Sequence, residues 1–117
     1  MANPNIVNVS TINGKTDVFA LTTTETNLVT ATANTVFKIN SIMVSNIDGT
    51  NAADVTIKYN DGSNDRAIAS TISVPADATL SVIDKNNSFY LEETEIIKGT
   101  ASANSDLECL ISYEIIS

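Results

Sequence analysis

The 117-residue sequence has no histidine and no tryptophan, and it contains one cysteine, two prolines and four glycines. Histidine is the commonest general base and the commonest metal ligand, so its absence removes most catalytic arrangements. A single cysteine without histidine cannot form a zinc site or a thiol–imidazole pair. None of the glycines lies in a phosphate-binding pattern. The composition therefore predicts a protein that is not an enzyme and that has no cofactor.

Positive charge is also scarce, with six Lys and Arg against 14 Asp and Glu and a net charge of −8. Phosphate binding requires clustered Lys and Arg, and because the chain has no basic run, nucleic acid is not a predicted partner. No apolar run reaches about 18 residues, which predicts no membrane span. The opening segment MANPNIVNVS has neither a charged start nor an apolar stretch, so we expect no secretory signal and synthesis in a cytoplasm.

Thr, Ser and Asn are abundant and together supply 41 of the 117 residues. Thr is β-branched and favours strands, whereas Asn and Ser favour the turns between strands. No segment shows helical periodicity, and turn signals recur at nearly regular spacing. The sequence therefore predicts one all-β domain over residues 1–117, an antiparallel β-sandwich of jelly-roll or immunoglobulin-like type. The order of its strands is not predicted.

The central stretch Val36–Tyr59 predicts two long strands folded back on each other across residues 48–51. In its second half Val55, Ile57 and Tyr59 alternate with polar residues, as in a strand with one dry face. The first half carries apolar residues on both parities, which predicts a strand covered on both faces, either inside a sandwich or under a neighbouring subunit. Before this stretch, the predicted strands are Ile6–Ile12, Asp17–Thr22 after a hairpin at Asn13 and Gly14, and one around Leu28–Thr32. After it come Arg66–Val74 with Ile68, Ile72 and Val74 on one parity, one with Leu80 and Val82 inward, Phe89–Leu91, one at Ile96 and Ile97, and, after a loop over Gly99–Asp106, Leu107–Ile116.

Few residues are candidates for chemistry. Asp61, Asn64 and Asp65 offer hard oxygen ligands for calcium in one loop, although a hydrogen-bonded turn is the preferred interpretation. The densest carboxylate group, at residues 92–95, is interpreted as a solvated turn and not as a glycosidase pair. The remaining candidates are predicted to be core or core-edge residues, with Cys109 as a small buried hydrophobe and Tyr59, Tyr90 and Tyr113 as tyrosines at the margin of the core and not as sugar platforms.

Four runs of the sequence carry a resemblance: IVNVSTINGKT, VFKINSIMVSNIDGTNAADVTI, ASTISVPADATLSVIDKNNSFYLEE and ASANSDLECLISYEIIS. Together they resemble a family of small virion structural proteins of tailed phages of marine bacteria, including cyanophages. The resemblance implies a structural role without catalysis. Of the placements compatible with it, the first is a capsid decoration protein on the outside of the head, which would bridge subunits of the major capsid protein as a trimer or other homo-oligomer.

The alternatives are a tail or fibre protein that touches the host surface, and a free carbohydrate-binding module. The scarcity of aromatic residues disfavours both glycan-binding alternatives. For the decoration role, the predicted contact elements are any unpaired strand edge and an extended N-terminal arm over residues 1–5, together with Ile6. The candidate contact residues are Asn3, Pro4, Asn5 and Ile6.

Overall fold

The computed structural model describes residues 4–5 and 8–117, and within them the chain forms nine β-strands and one short 3₁₀ helix. No helix among these residues is long and apolar enough to cross a membrane. The elements are β1 Ile12–Ala20, β2 Thr26–Thr30, β3 Val36–Asn46, β4 Ala53–Asn60, β5 Asp65–Val74, β6 Thr79–Ile83, the 3₁₀ helix Lys85–Asn87, β7 Phe89–Leu91, β8 Ile96–Ala101 and β9 Leu107–Ile116.

Strand pairing follows a nested antiparallel pattern. β4 pairs with β5, β3 with both β6 and β7, β2 with β8, and β1 with β9. Two further pairings, β3 with β9 and β4 with β8, join these pairs into two sheets. The long sheet has the order β1-β9-β3-β6, with β7 also beside β3, and the short sheet has the order β2-β8-β4-β5.

This arrangement confirms the predicted all-β antiparallel sandwich, and the strand order identifies it as a jelly roll. In an immunoglobulin-like sandwich the first two strands pair within one sheet, whereas here β1 and β2 lie in opposite sheets. The core lies between the two sheets and is made of aliphatic side chains from both inner faces. Its largest fully buried members are Leu21, Ile39, Ile42, Ile57, Leu91, Ile97, Leu107, Ile111, Val44, Val55, Val74 and Cys109.

Two predicted turns differ from the structure. Asn13 and Gly14 form no hairpin but lie inside β1, where Gly14 is opposite Glu114 of β9. Neither residue has the positive φ that a two-residue hairpin turn requires. The first predicted strand, residues 6–12, lies partly outside the described residues, and residues 8–11 are not in a strand. The local turn signal was misleading because the partner of β1 is β9, about a hundred residues away along the chain.

The predicted central hairpin is also wrong, although both of its strands exist. β3 belongs to the long sheet and β4 to the short sheet, so residues 47–52 cross from one sheet to the other. The hairpin partner of β4 is β5, across residues 61–64. The predicted alternation in β4 is confirmed, since Val55 and Ile57 are fully buried in the core.

A bulge explains why apolar residues of β3 occupy both parities. In β3 the register opposite β9 shifts between Ile39 and Ser41, so that Ile39 and Ile42 both face inward and are fully buried. The next residue, Met43, faces outward with 37% of its surface exposed. Within one chain the outer face of this part of the strand is therefore open at Met43, and cover by a neighbouring subunit stays a prediction.

In β5, Ile72 and Val74 share a face, as predicted, because they lie opposite Val55 and Ala53 of β4 in unbroken register, although Ile72 is 39% exposed. The register shifts only beyond Ile72, where Thr71 has a φ of 50°, so that Ala69 and not Ile68 lies opposite the buried Ile57. The predicted loop over residues 99–106 is shorter, since Gly99 lies in β8 with the core side chains around it.

Candidate functional site

The loop predicted as a possible calcium site is held by its own hydrogen bonds. Oδ1 of Asp61 accepts hydrogen bonds from the backbone N–H groups of Asn64 (2.8 Å) and Ser63 (3.0 Å), which lower the pKa of Asp61. Asp65 accepts from Nδ2 of Asn60 (2.7 Å) and forms an ion pair with Lys98 (3.1 Å), and these contacts lower its pKa. Over residues 4–5 and 8–117, no group of three or more His, Cys, Asp and Glu side chains is placed to hold a metal ion.

The acidic residues between β7 and β8 tie neighbouring segments together. Glu95 is buried, and its Oε1 accepts hydrogen bonds from the hydroxyl of Tyr59 (2.5 Å) and from the backbone N–H of Glu92 (2.8 Å). Glu93 accepts from the backbone N–H of Asn34, in the connection between β2 and β3. These contacts are of the kind that fixes turns, and they use the Glu95 carboxylate that a paired-carboxylate mechanism would need.

Two of the three tyrosines are core-edge residues, as predicted. Tyr113 is buried, stacks on Phe37 with ring centroids 5.2 Å apart, and donates its hydroxyl to Asp17 (2.6 Å). Burial, together with a hydrogen bond to a carboxylate, raises the pKa of Tyr59 and of Tyr113 well above the usual range. Tyr90 differs from the prediction, because it is 45% exposed on the outer face of the long sheet. A single exposed tyrosine offers only a small surface on which a sugar ring could stack.

Cys109 is fully buried in β9, and desolvation raises the pKa of its thiol to about 12. The prediction of a small buried hydrophobe is confirmed. An inaccessible, protonated thiol is neither a nucleophile nor a free partner for a disulfide.

An open cleft of about 300 Å³ lies where the edge of β5 approaches β6 and β7. It is lined by Tyr59, Arg66, Ala67, Ile68, Ile83 and Phe89. The volume is at the lower limit for a small-molecule site, and such sites bring several polar groups together. Here the hydroxyl of Tyr59 is already bonded to Glu95, which leaves the Arg66 guanidinium as the polar group of the lining.

The two outer faces of the sandwich differ in charge. On the short sheet, two lysines are paired with acidic residues, with Lys58 3.0 Å from Glu25 and Lys98 3.1 Å from Asp65. The hydrogen bond and the charge of Glu25 raise the pKa of Lys58. Both lysine charges of the short sheet are therefore paired with carboxylates.

The outer face of the long sheet instead carries an apolar row across three strands. Val18, Leu110 and Met43 lie directly opposite one another on β1, β9 and β3. Val18 is 61% exposed and Met43 37% exposed. We call these three residues the outer row, and it is the candidate interaction surface. The sequence alone does not reveal this row, because the bulge in β3 puts Met43 on the face opposite to Ile39 although the two residues have the same parity.

Beside the outer row lies a row of hydroxyl side chains formed by Thr16, Ser112 and Ser41. Thr16 donates a hydrogen bond of 3.5 Å to Ser112. Small neutral side chains of this kind can be covered by another chain at little desolvation cost compared with charged groups. The two rows together form the weakly charged middle of the long sheet.

Of the predicted arm residues, Asn3 and Ile6 lie outside the described part of the chain. Pro4 is half-buried, and Asn5 is exposed and accepts a backbone hydrogen bond from Asn8 (2.9 Å). Further along, the N–H groups of residues 10 and 11 both donate to the carbonyl of Ser117. The segment that leads into β1 therefore lies beside the C-terminal end of β9.

Comparisons with known proteins identify the fold and no family. No protein-family model matches the chain, and no curated protein matches it. Among solved structures, a chain from the acid-stable capsid of the Helicobacter pylori bacteriophage KHP30 aligns with a TM-score of 0.57 and 8% identity, over 93% of this chain and 90% of that one. A chain from the disulfide-linked pili that form Bacillus endospore appendages aligns with a TM-score of 0.53 and 13% identity, over 91% and 87%.

At these identities the likeness establishes a shared fold and nothing more. In both alignments the two coverages are nearly equal, so the three chains have similar lengths. The jelly roll thus corresponds to nearly the whole of each neighbour and not to one part of a larger chain.

Proposed function

We propose that this chain is a non-enzymatic structural subunit of a phage particle, and specifically a decoration protein that binds the outside of the head and bridges major capsid subunits. The observation that carries the proposal is the fold and length shared with a chain of a phage capsid. The resemblance to small virion proteins of marine tailed phages supports the same role. Neither structural neighbour comes from a marine phage, so that narrower assignment remains a prediction.

The chemistry of the surface is compatible with this role. The acidic loops and two of the tyrosines are engaged in internal hydrogen bonds, and the thiol is buried. A net charge of −8 favours a chain that stays dispersed before it reaches its binding site. Attachment would then depend on many weak contacts repeated over a symmetric lattice, where linked sites give a combined affinity that one contact does not provide.

The experiment is to measure the chain in purified particles from the source that encodes it. Quantitative mass spectrometry gives its copy number relative to the major capsid protein, and a particle reconstruction gives its position. A decoration protein is expected in hundreds of copies on the head, whereas a ring on a tail or fibre holds roughly a dozen. Absence from particles would refute the virion role, and a low copy number on the tail would refute the decoration role.

The N-terminal arm is the second element of the proposal. Removing residues 1–6 should leave the domain folded, because β1 begins only at Ile12. We expect the shortened chain to occupy the head poorly, since the arm is proposed to contact the capsid. The comparison is between full-length and shortened protein added back to particles that lack it. Equal occupancy would show that the arm is not a contact.

The pilus neighbour supports a second candidate function, a subunit of a fibre. Those pili are described as disulfide-linked, whereas the one cysteine of these 117 residues is fully buried. A fibre of this chain would therefore be held by non-covalent contacts. Electron microscopy of the concentrated protein, with and without reductant, distinguishes the two candidates. Filaments that persist in reductant would favour the fibre.

A further inference from the structure

The free edge of β1 differs from the other edges of the two sheets. Natural sheets protect their edges by short strands, bulges or charges. Among the described strands, β2 is five residues long and has a register shift, β5 has two shifts, and β6 and β7 are short segments beside β3. β1 is nine residues long, pairs with β9 without a shift, and has two charged residues, Lys15 and Asp17, which are of opposite sign. We infer that a second copy of this chain pairs with β1 in antiparallel orientation about a two-fold axis at Thr16.

The backbone of β1 shows which residues are available to a partner strand. Thr11 and Ser117 each donate an N–H to the carbonyl of the other (3.0 Å), and Leu21 donates to Leu107 (2.9 Å). Because alternate residues of an antiparallel strand bond to the same neighbour, the odd-numbered residues of β1 bond to β9. The residues whose N–H and C=O groups face the free edge are Ile12, Gly14, Thr16, Val18 and Ala20.

Charge selects one register for the self-pairing. When Thr16 lies opposite Thr16 of the second copy, Lys15 of each copy lies opposite Asp17 of the other. A shift of two residues in one direction puts Lys15 opposite Lys15, and the same shift in the other direction puts Asp17 opposite Asp17. Opposite charges facing each other stabilise a strand pair, and like charges destabilise it. The strand is thus electrostatically complementary to itself in this register and not in the adjacent ones.

The side chains that would meet in this register have the space and the orientation that the pairing requires. Lys15 is 53% exposed and lies 3.9 Å from Asp17 of its own strand, so it has room for a second carboxylate. Asp17 is held in place by the hydroxyl of Tyr113 at 2.6 Å. On the outer face Val18 would lie opposite Gly14, around which a Cβ would meet no atom within 4 Å. Pairing would then bring the outer rows of two copies into one continuous sheet.

The test exploits the complementarity by exchanging charges. Lys15→Asp places two Asp–Asp pairs in the dimer, and Asp17→Lys places two Lys–Lys pairs. Each variant alone is expected to dimerise at least about tenfold more weakly than the natural chain. In a mixture of the two variants every facing pair is again of opposite sign, so dimers should reappear. Sedimentation velocity over a concentration series measures all three cases.

A second variant does not depend on charge. Thr16→Pro removes an N–H that faces the free edge and leaves the bonds to β9 intact, a position where an edge strand tolerates proline. It should abolish the dimer while circular dichroism shows a folded domain. Lys85→Asp is the control, because it makes the same charge change on the 3₁₀ helix between β6 and β7 and should leave dimerisation unaltered.

The inference fails if the natural chain is monomeric up to roughly millimolar concentration. It also fails if the dimer persists in both Lys15→Asp and Thr16→Pro, or if mixing the two charge variants restores nothing. These outcomes are independent of the proposed virion role, since the dimer is measured on the purified chain, whereas the virion role is measured on particles.

Discussion

Asn46 is the residue whose replacement tests the fold most directly. It is 3% exposed at the end of β3, where the chain leaves the long sheet for the short one. Its Nδ2 group donates to the backbone carbonyls of Asn51 and Val74, both at 2.9 Å, and its Oδ1 accepts from the N–H of Asp48 at 2.8 Å. One side chain thus holds the crossing segment against the end of β5.

The expected cost follows from these three contacts. Asn46→Ala leaves one donor and two acceptors of the backbone without their partner, and the carbonyl of Val74 is in a buried contact. Each lost hydrogen bond of this kind costs about 1 kcal/mol, so we expect the free energy of unfolding to fall by about 3 kcal/mol from a total of roughly 5–15 kcal/mol. With a urea m-value of about 1.5 kcal/mol/M, the unfolding midpoint falls by about 2 M.

Asn46→Asp sharpens the test because it keeps the shape and removes the donor. A carboxylate would face the carbonyl oxygens of Asn51 and Val74, which raises its pKa in the folded state. A raised folded-state pKa stabilises the fold below the unfolded pKa, and that contribution is lost as pH rises. The deficit of the variant relative to the natural chain should therefore be larger at pH 7 than at pH 4.

Urea unfolding followed by circular dichroism measures both variants, with the exposed Asn27→Ala as a control expected within about 0.5 kcal/mol of the natural chain. A loss below about 1 kcal/mol for Asn46→Ala would refute the assigned hydrogen bonds. So would a deficit of Asn46→Asp that is the same at both pH values.

Three further predictions concern the core. Val55→Asp buries a charge at a fully buried position and should prevent folding, as seen by circular dichroism, whereas the exposed Ala67→Asp should fold normally. Gly99→Ala puts a Cβ 2.7 Å from Cδ1 of Leu28 and should lower the free energy of unfolding in urea by about 1–3 kcal/mol. Adding Leu28→Ala to the same chain should recover part of that stability, whereas additive losses would contradict the clash. Cys109 should react with iodoacetamide at pH 8 no faster than the domain unfolds, and rapid alkylation of the native chain would contradict its burial. The free energy of unfolding should also fall as pH rises from the usual thiol range toward the Cys109 pKa of about 12.

The candidate residues show where sequence reasoning was sufficient. The inward positions of β4 and the burial of Cys109 followed from alternation, because a strand with one dry face repeats every two residues. The loop with Asp61 was preferred as a turn from its residue types, and its side chain does accept the hydrogen bonds that close such a turn. The outer row could not be found in this way, since it is assembled from three strands that are far apart in the chain.

What the sequence by itself determined is the class of structure, an antiparallel β-sandwich without histidine chemistry, because strand and turn preferences act over a few neighbouring residues. Only the tertiary structure decided the jelly-roll order, in which β1 pairs with β9 and the supposed central hairpin is divided between two sheets. It also decided which residues face outward, because a single extra residue at a bulge reverses the parity of everything beyond it. Partners and bulges depend on contacts between distant segments, and a local pattern carries no record of them.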